Sequence, residues 1–353
     1  MPMSDSTVEM VFVGDVYIKR DNPASMLTSV RSVLSDADIS FGNLEAPITD
    51  RGQPLLGKPI AGVHFQSPLN TVTALSDGVF DVMSLANNHS MDLGPEGIMQ
   101  TVEVLDKANI QHCGAGADDA AARMPAIISR GGSRFAFLSY SSVFQPGAFP
   151  ATADRPGIAT VRVHTAYQPS PRVFEQPGSP AIPITRADEV DRETLMADIR
   201  QAREVADFVV VSWHWGISQS YRKIADYQVE LGRAAIDAGA NMVIGHHPHV
   251  LQGIEFHGNG LICYSLGNFA FDRESPHFDS ETIILTCRVV NGKIDQVTVI
   301  PVLINDSREP EIVESDRAGA VLDLVERESA PFDTSVIRKN GVGVLQPAAA
   351  SAG

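Results

Sequence analysis

Long apolar runs are missing from this 353-residue sequence. No window approaches the roughly 18 consecutive apolar residues that a helix needs to cross a bilayer, so no segment reads as a membrane span or anchor. Cysteine is scarce as well. Cys113, Cys263 and Cys287 are an odd number without tight spacing, which excludes a disulfide framework and a cysteine-built zinc site and leaves buried thiols. Basic residues are outnumbered, 27 Lys and Arg against 43 Asp and Glu, and they are scattered along a chain of net charge −16. That pattern excludes a nucleic-acid or anionic-membrane surface. The opening stretch Met1 to Glu9, MPMSDSTVE, has neither the basic start nor the apolar core of a secretory signal, so the expected location is the cytoplasm.

What the sequence does contain is alternation. Short apolar runs at Val8–Val13, Asp38–Gly42, Val79–Leu85, Ile110–Cys113, Phe135–Tyr140, Phe208–Trp213, Asn241–Ile244 and Gly260–Ser265 predict strands. Between them, Ser25–Ser35, Pro68–Leu75, Pro95–Ala108, Arg192–Ala206 and Ile224–Ala238 predict helices. Runs as continuous as Phe208-Val-Val-Val suit a sheet covered on both faces, and the whole predicts an α/β layered domain over residues 1–335. Two segments depart from this rhythm. The stretch from Gln145 to Arg186 holds Pro146, Pro150, Pro156, Pro169, Pro171, Pro177, Pro180 and Pro183, and reads as a long irregular excursion, either a passive surface loop or a wall of the substrate pocket. After Asp272, Thr282–Val290 and Ile294–Ile304 flank Asn291-Gly292 and predict a C-terminal β-hairpin. A short helix is expected near Ala318–Arg327, and residues 336–353 read as a flexible tail.

Five polar clusters each follow an apolar strand: Gly14-Asp15, Gly42-Asn43-Leu44-Glu45, Asn87-Asn88-His89-Ser90-Met91-Asp92, Trp213-His214-Trp215 and His246-His247-Pro248-His249. Loops at the carboxyl ends of strands in an open α/β sheet converge on one edge, so five strands aim ligands at a single crevice. Taken singly, Asp15 is a turn or cap residue, Glu45 a solvated acid and Asn88-His89 a hydrogen-bonded turn. His214 is different, because an imidazole ending an apolar run between two tryptophans is desolvated and needs a partner. His247-Pro248-His249 is the most specific signal, since two imidazoles in a proline-stiffened turn reach neighbouring metal positions. The ligand set is nitrogen and oxygen without sulfur, which suits Mn, Fe or Zn, as one or two divalent ions. Asp15, Asn43, Glu45, Asn88, His214, His247 and His249 are the candidate metal ligands. His89, oriented by Asp92, is the candidate general acid, with Asp15 and His247 completing the catalytic set.

These residues also carry a resemblance. Gly14-Asp15, Asn43-Leu44-Glu45-Ala-Pro, the run Ala86 to Gly94, His214-Trp-Gly216, the run Ile244 to Gln252 and Tyr264-Ser-Leu-Gly-Asn-Phe269 resemble the CapA family of capsule and poly-γ-glutamate synthesis proteins. That family falls within the calcineurin-like metallophosphoesterase superfamily. The resemblance implies a four-layer α/β/β/α sandwich and a dinuclear-type centre. It implies Asp15 and His249 at one metal, Asn88, His214 and His247 at the other, and Asn43 or Glu45 between them. It also implies a substrate-protonating role for His89. Three positions depart from the pattern. Tyr17 stands where superfamily phosphoesterases carry a histidine, Asn43 where they carry an aspartate, and Ile217-Ser218-Gln219 where an acid is usual, so at least one metal position is expected to be weakened.

Three functions follow as expectations. The first is hydrolase-type chemistry on a peptide, glutamyl-amide or phosphoester substrate at a divalent metal. The second is metal-independent acid/base peptide tailoring, such as epimerisation of a residue of a ribosomal lasso peptide. The third is a non-catalytic binding module that kept the fold.

Overall fold

The computed structural model describes residues 6–55, 63–218 and 222–348. Its strands form two large sheets packed face to face. The first is ten-stranded among the described residues, in the order Thr334–Lys339, Val342–Pro347, Lys293–Ile304, Glu281–Val290, Thr7–Tyr17, Ile39–Leu44, Val82–Ser84 and Gln111–Cys113. Asn268–Phe271 pairs with Thr7–Tyr17 and Pro310–Ile312 with Lys293–Ile304 off this path. The second sheet runs Ile254–His257, Gly260–Cys263, Met242–His246, Phe208–His214, Ser133–Ser141 and Ala126–Arg130.

The apolar runs follow from this stacking. In Phe208–His214, Phe208 and Val210 enter the core between the sheets, whereas Val209, Val211 and Trp213 pack under the helices Glu189–Val205 and Asp226–Asp237. In Thr7–Tyr17, Val8, Met10 and Phe12 face the other sheet, and Val11 and Val13 face the opposite helical layer, which includes Gly94–Lys107. Successive side chains point to opposite faces, so a sheet buried on both sides shows no polar alternation. Phe41 stacks on Phe137 across the inter-sheet core at 5.6 Å. The architecture is a four-layer α/β/β/α sandwich, and the hairpin about Asn291-Gly292 lies within the first sheet between Thr7–Tyr17 and Val342–Pro347, its two turn residues both at positive φ. The three cysteines are buried free thiols. Among the described residues no helix is long and apolar enough to cross a membrane.

Some expected elements differ. Ser25–Ser35 is not one helix but a 3-10 turn at Pro23–Leu27 followed by Arg31–Ser35, and Pro68–Leu75 resolves into Leu69–Thr71 and Val72–Leu75. Thr and Ser in both stretches turn their hydroxyls onto nearby carbonyls, as Thr28 does to Ser25 O and Thr73 to Asn70 O, and this competes with a continuous helix. The excursion over 145–186 is not wholly irregular. Val163–Gln168 pairs antiparallel with Ile182–Ala187, and four of its prolines fall in the connection between these strands. A two-stranded ribbon has outward backbone groups that need no ladder partner, so Pro183 is tolerated within it. Most of residues 336–348 are likewise not a free tail. Thr334–Lys339 and Val342–Pro347 form a second hairpin about Asn340-Gly341 at the edge of the first sheet, and Val336 and Leu345 join its buried apolar core. Residues 349–353, and Gln219 of the departure noted above, lie outside the described residues.

Candidate metal centre

The register between strands places the polar residues in one layer. Asp15 pairs with Asn43 on one side and with Asn268 on the other, while in the facing sheet His214 pairs with His246 and with Ser141. The close passage of the chain here requires glycine: a Cβ on Gly14 would lie 2.0 Å from the Gly267 carbonyl oxygen. Every candidate ligand except the half-buried Asn88 is buried.

Asp15 is fully buried and collects donors. Asn43 Nδ2 donates to its Oδ1 at 2.8 Å, His246 Nδ1 lies 3.2 Å from the same oxygen, and the His247 backbone N–H donates to Oδ2 at 3.3 Å. Burial alone would raise its pKa, but the adjacent His246 and His249 imidazoles and the Asn43 hydrogen bond outweigh this and hold it below the usual value. Asn43 is engaged at both ends, because its Oδ1 accepts from Asn87 Nδ2 at 3.2 Å. Glu45, just past the end of its strand, projects between two imidazoles. Its Oε1 is 3.6 Å from His214 Nε2 and 3.8 Å from His249 Nε2. Ligand atoms of Glu45, His247 and His249 all lie within 4.8 Å of one another, so these three buried residues form a group able to hold a metal ion. Nδ1 of His247 is buried without a hydrogen-bond partner, an orphan that a ligand would satisfy.

The histidines are prepared as neutral donors. Burial, followed by the neighbouring imidazoles of His247, His246 and His249, pushes His214 well below its ordinary pKa; burial brings His247 down to about 3. His249 is lowered too, chiefly by burial. Its Nδ1 lies 2.8 Å from Asn268 Oδ1, and if that nitrogen donates, Nε2 is left as the lone-pair atom facing Glu45. The backbone is held in an unusual state here, with His247 at φ 96° and His249 at φ 60° on either side of Pro248. Such conformations in non-glycine residues cost of order 1–3 kcal/mol and cluster at functional sites.

His89 stands beside this group. Its Nδ1 is 2.7 Å from Asp92 Oδ2, and the same carboxylate oxygen accepts the Phe65 backbone N–H at 2.7 Å. The Phe65 ring stacks on His89 at 3.6 Å and on Tyr17 at 4.4 Å. Tyr17 therefore belongs to an aromatic wall with Phe65 and Phe271.

All nine sequence candidates, Asp15, Asn43, Glu45, Asn88, His89, Asp92, His214, His247 and His249, reach the same crevice. Asn88 meets His214 through a 2.7 Å contact between Oδ1 and Nε2. Sequence reasoning missed His246, which braces Asp15, Asn87, which braces Asn43, and Asn268, which orients His249. His246 and Asn87 stood inside the polar clusters, and their neighbours took the attention. Asn268 offered a signal only as a polar residue between Gly267 and an apolar run.

Residues 9–273 match the family model described as "Bacterial capsule synthesis protein PGA_cap". The "Capsule biosynthesis protein CapA" of Bacillus anthracis is 30% identical over 276 residues, 75% of this chain and 60% of that protein. The "PGA biosynthesis protein CapA" of Bacillus subtilis (strain 168) is 32% identical over 280 residues, 76% of this chain and 65% of that one. The chain thus spans under two thirds of the length of these two relatives. A "Probable polyglutamine synthesis accessory protein" of Mycobacterium tuberculosis (strain CDC 1551 / Oshkosh) is 30% identical over 86% of this chain and 75% of that protein. A purple acid phosphatase from yellow lupin seeds superposes with a TM-score of 0.38 at 10% identity, over 90% of this chain and 56% of that one, which is too distant to speak to chemistry. By the extent of the family match and the identity to its members, this chain belongs to the bacterial capsule synthesis protein PGA_cap family.

Proposed function

We propose that this chain is a metal-dependent enzyme carrying out hydrolase-type chemistry on a peptide, glutamyl-amide or phosphoester bond. The observation that carries this is the convergence of Glu45, His247 and His249 within 4.8 Å, all buried. A carboxylate oxygen and imidazole nitrogens gathered in one buried group are donors that suit a divalent cation, which supplies positive charge within a crevice lined by hard oxygen and borderline nitrogen atoms. The donor set fits Mn, Fe or Zn. Glu45 rather than Asn43 would be the ligand on this reading, because both ends of the Asn43 amide are engaged within the protein. His214 and Asn88, which contact each other through Nε2 and Oδ1 at 2.7 Å, would hold a second ion by exchanging that contact for it, and Asp15 accepts from the backbone of the His246–His249 turn while facing His249. When bound, the ion supplies Lewis acidity at the scissile carbonyl or phosphoryl oxygen.

The remaining work falls to side chains. Asp92 fixes His89 through Nδ1, so the proton delivered to the leaving group departs from Nε2. Phe65 holds the ring in plane by stacking. The relatives' names, which speak of capsule biosynthesis, PGA biosynthesis and polyglutamine synthesis, support an amide-linked polymer as the substrate, which we read as glutamyl.

A second reading, metal-independent acid/base tailoring of a peptide, draws on the replacement of two ligands by Asn43 and Tyr17. Elemental analysis before and after EDTA, with turnover of γ-glutamyl amide and phosphoester substrates, separates the two. One or two transition metals lost together with activity support the hydrolase. Turnover indifferent to EDTA in a metal-free protein sinks it in favour of tailoring.

Tyr17→His tests the departure directly. Tyr17 lies two residues past Asp15 on the same strand, so an imidazole there should raise metal affinity by about tenfold, the scale on which single groups around a metal act. Loss of the 4.4 Å stack on Phe65 should cost about 1 kcal/mol of stability. Competition with a chromophoric chelator reads the affinity, and an unchanged value contradicts the prediction.

A further inference from the structure

Beside His249 a small cavity of about 90 Å³ opens, lined by Asn268, Phe271, Arg273, Phe278, Asp279 and Arg308. It adjoins the centre through three contacts. Asn268 holds His249 Nδ1, and Phe278 and Phe271 pack on the His249 ring at 4.4 and 5.4 Å. The charges around it are unequal. Asp279 is already matched by Arg222, and Arg308 is matched by Glu274, whose side chain is 80% exposed, so that pair is solvated and weak. Arg273 forms no ion pair with any described carboxylate. Its guanidinium carbon lies 5.2 Å from the centroid of the Phe65 ring, the ring that stacks on His89. On a chain of net charge −16, a half-buried arginine with no acid partner among the described residues, beside the ring that stacks on His89, is placed to take an anion.

We propose that this cavity is a carboxylate subsite in which Arg273, with Arg308 in support, binds an anionic group of the substrate lying outside the bond that reacts. The inference rests on the proposed hydrolase reading and deepens it. A guanidinium presents two parallel N–H donors that match a carboxylate, and the aromatic ring behind it holds the fork in place without competing for its donors. Phe271 and Phe278 supply the apolar walls along which the methylene stem of such a group would run. The role of Arg273 is therefore positioning and specificity, with no proton transfer assigned to it.

The test is titration calorimetry at low salt on wild type, Arg273→Gln, Arg273→Lys and His247→Ala, with three probes: an oligo-γ-glutamate, its fully amidated counterpart, and inorganic phosphate. Metal content is measured on every sample. The expected result is that wild type binds the oligo-γ-glutamate, Arg273→Gln binds it at least about tenfold more weakly, and Arg273→Lys falls between, with metal content unchanged. The amidated probe should not distinguish the variants. Equal affinity of wild type and Arg273→Gln for the oligo-γ-glutamate overturns the subsite, as does the absence of wild-type binding. An Arg273 dependence seen with phosphate alone overturns the carboxylate assignment, and binding lost in His247→Ala but kept in Arg273→Gln places the anion on the metal instead. A metal-free wild type that still shows the Arg273 dependence defeats the hydrolase reading while leaving the subsite standing.

Discussion

His247→Ala is expected to lose bound metal and turnover together while remaining as well folded as the wild type. The imidazole is one of three buried groups whose ligand atoms converge within 4.8 Å, and its Nδ1 has no hydrogen-bond partner to lose. Removal of residues that only orient a ligand costs 10–100-fold in metal affinity, so removal of a ligand should cost about 100-fold or more. Stability should change little in the metal-free state. The contact from residue 247 to Asp15 is made by its backbone N–H, which alanine retains, and the ring contributes no buried apolar cluster. His247→Gly serves as a companion, because glycine accepts the φ of 96° without the strain that histidine or alanine bears. Both variants should elute and unfold like the metal-free wild type, with activity at background. Full turnover in His247→Ala removes this residue from the mechanism.

The second large effect is acid lability of the metal-free protein. His214, His247 and His249 all have folded-state pKa values below the ordinary 6.5, and burial is the first cause in each case. Once unfolded, each takes up a proton as the pH falls below 6.5, whereas His247 in the fold does not do so until about 3. Over that window the unfolded chain binds more protons, so stability is fully present above 6.5 and is lost as the pH falls. His247 alone removes up to about 1.4 kcal/mol per pH unit in this range, and His214 and His249 act in the same direction. Asp15 acts in the same direction at lower pH, because its folded-state pKa lies below 3.8 and its contribution vanishes as the pH falls through that value. Urea unfolding of EDTA-treated protein between pH 8 and 5 measures this. A midpoint that does not move below pH 6.5 would show that the imidazoles are not buried as neutral groups.

Much of the sandwich was legible because a sheet buried on both faces leaves a plain trace. Phe208-Val-Val-Val and Val8 to Val13 are apolar on both faces because helices lie on one side and the partner sheet on the other. The second hairpin escaped notice although Asn340-Gly341 marks its turn. Its flanks are short and mixed, and what makes them strands is pairing with Val297–Val299, more than 40 residues earlier. Pairing at that separation is settled by tertiary packing and hardly by local propensity. The ribbon within 145–186 was hidden in the same way by its prolines, most of which fall in the connection between its strands.

Residue by residue, the polar clusters at strand ends determined which groups reach the crevice, since parallel strands deliver their following loops to one edge. The direction of each side chain, and hence its work, was decided only by tertiary structure. Glu45 lies beyond the last strand residue, Leu44, so period-two alternation does not set its direction; the loop carries it between His214 and His249. Asn43 turns instead to Asp15 because register places them side by side. The His246-His247 pair looks equivalent on paper, yet the positive φ at His247 sends one imidazole to Asp15 and the other toward Glu45 and His249. Arg273 was one arginine among many until folding left it over Phe65 with no acid partner among the described residues. The sequence by itself determined the layers, the crevice and the chemical types of its donors, because these follow from local periodicity and from residue identity. Burial, protonation and partner choice depend on which distant segments meet, so they became definite only when the two sheets closed on each other.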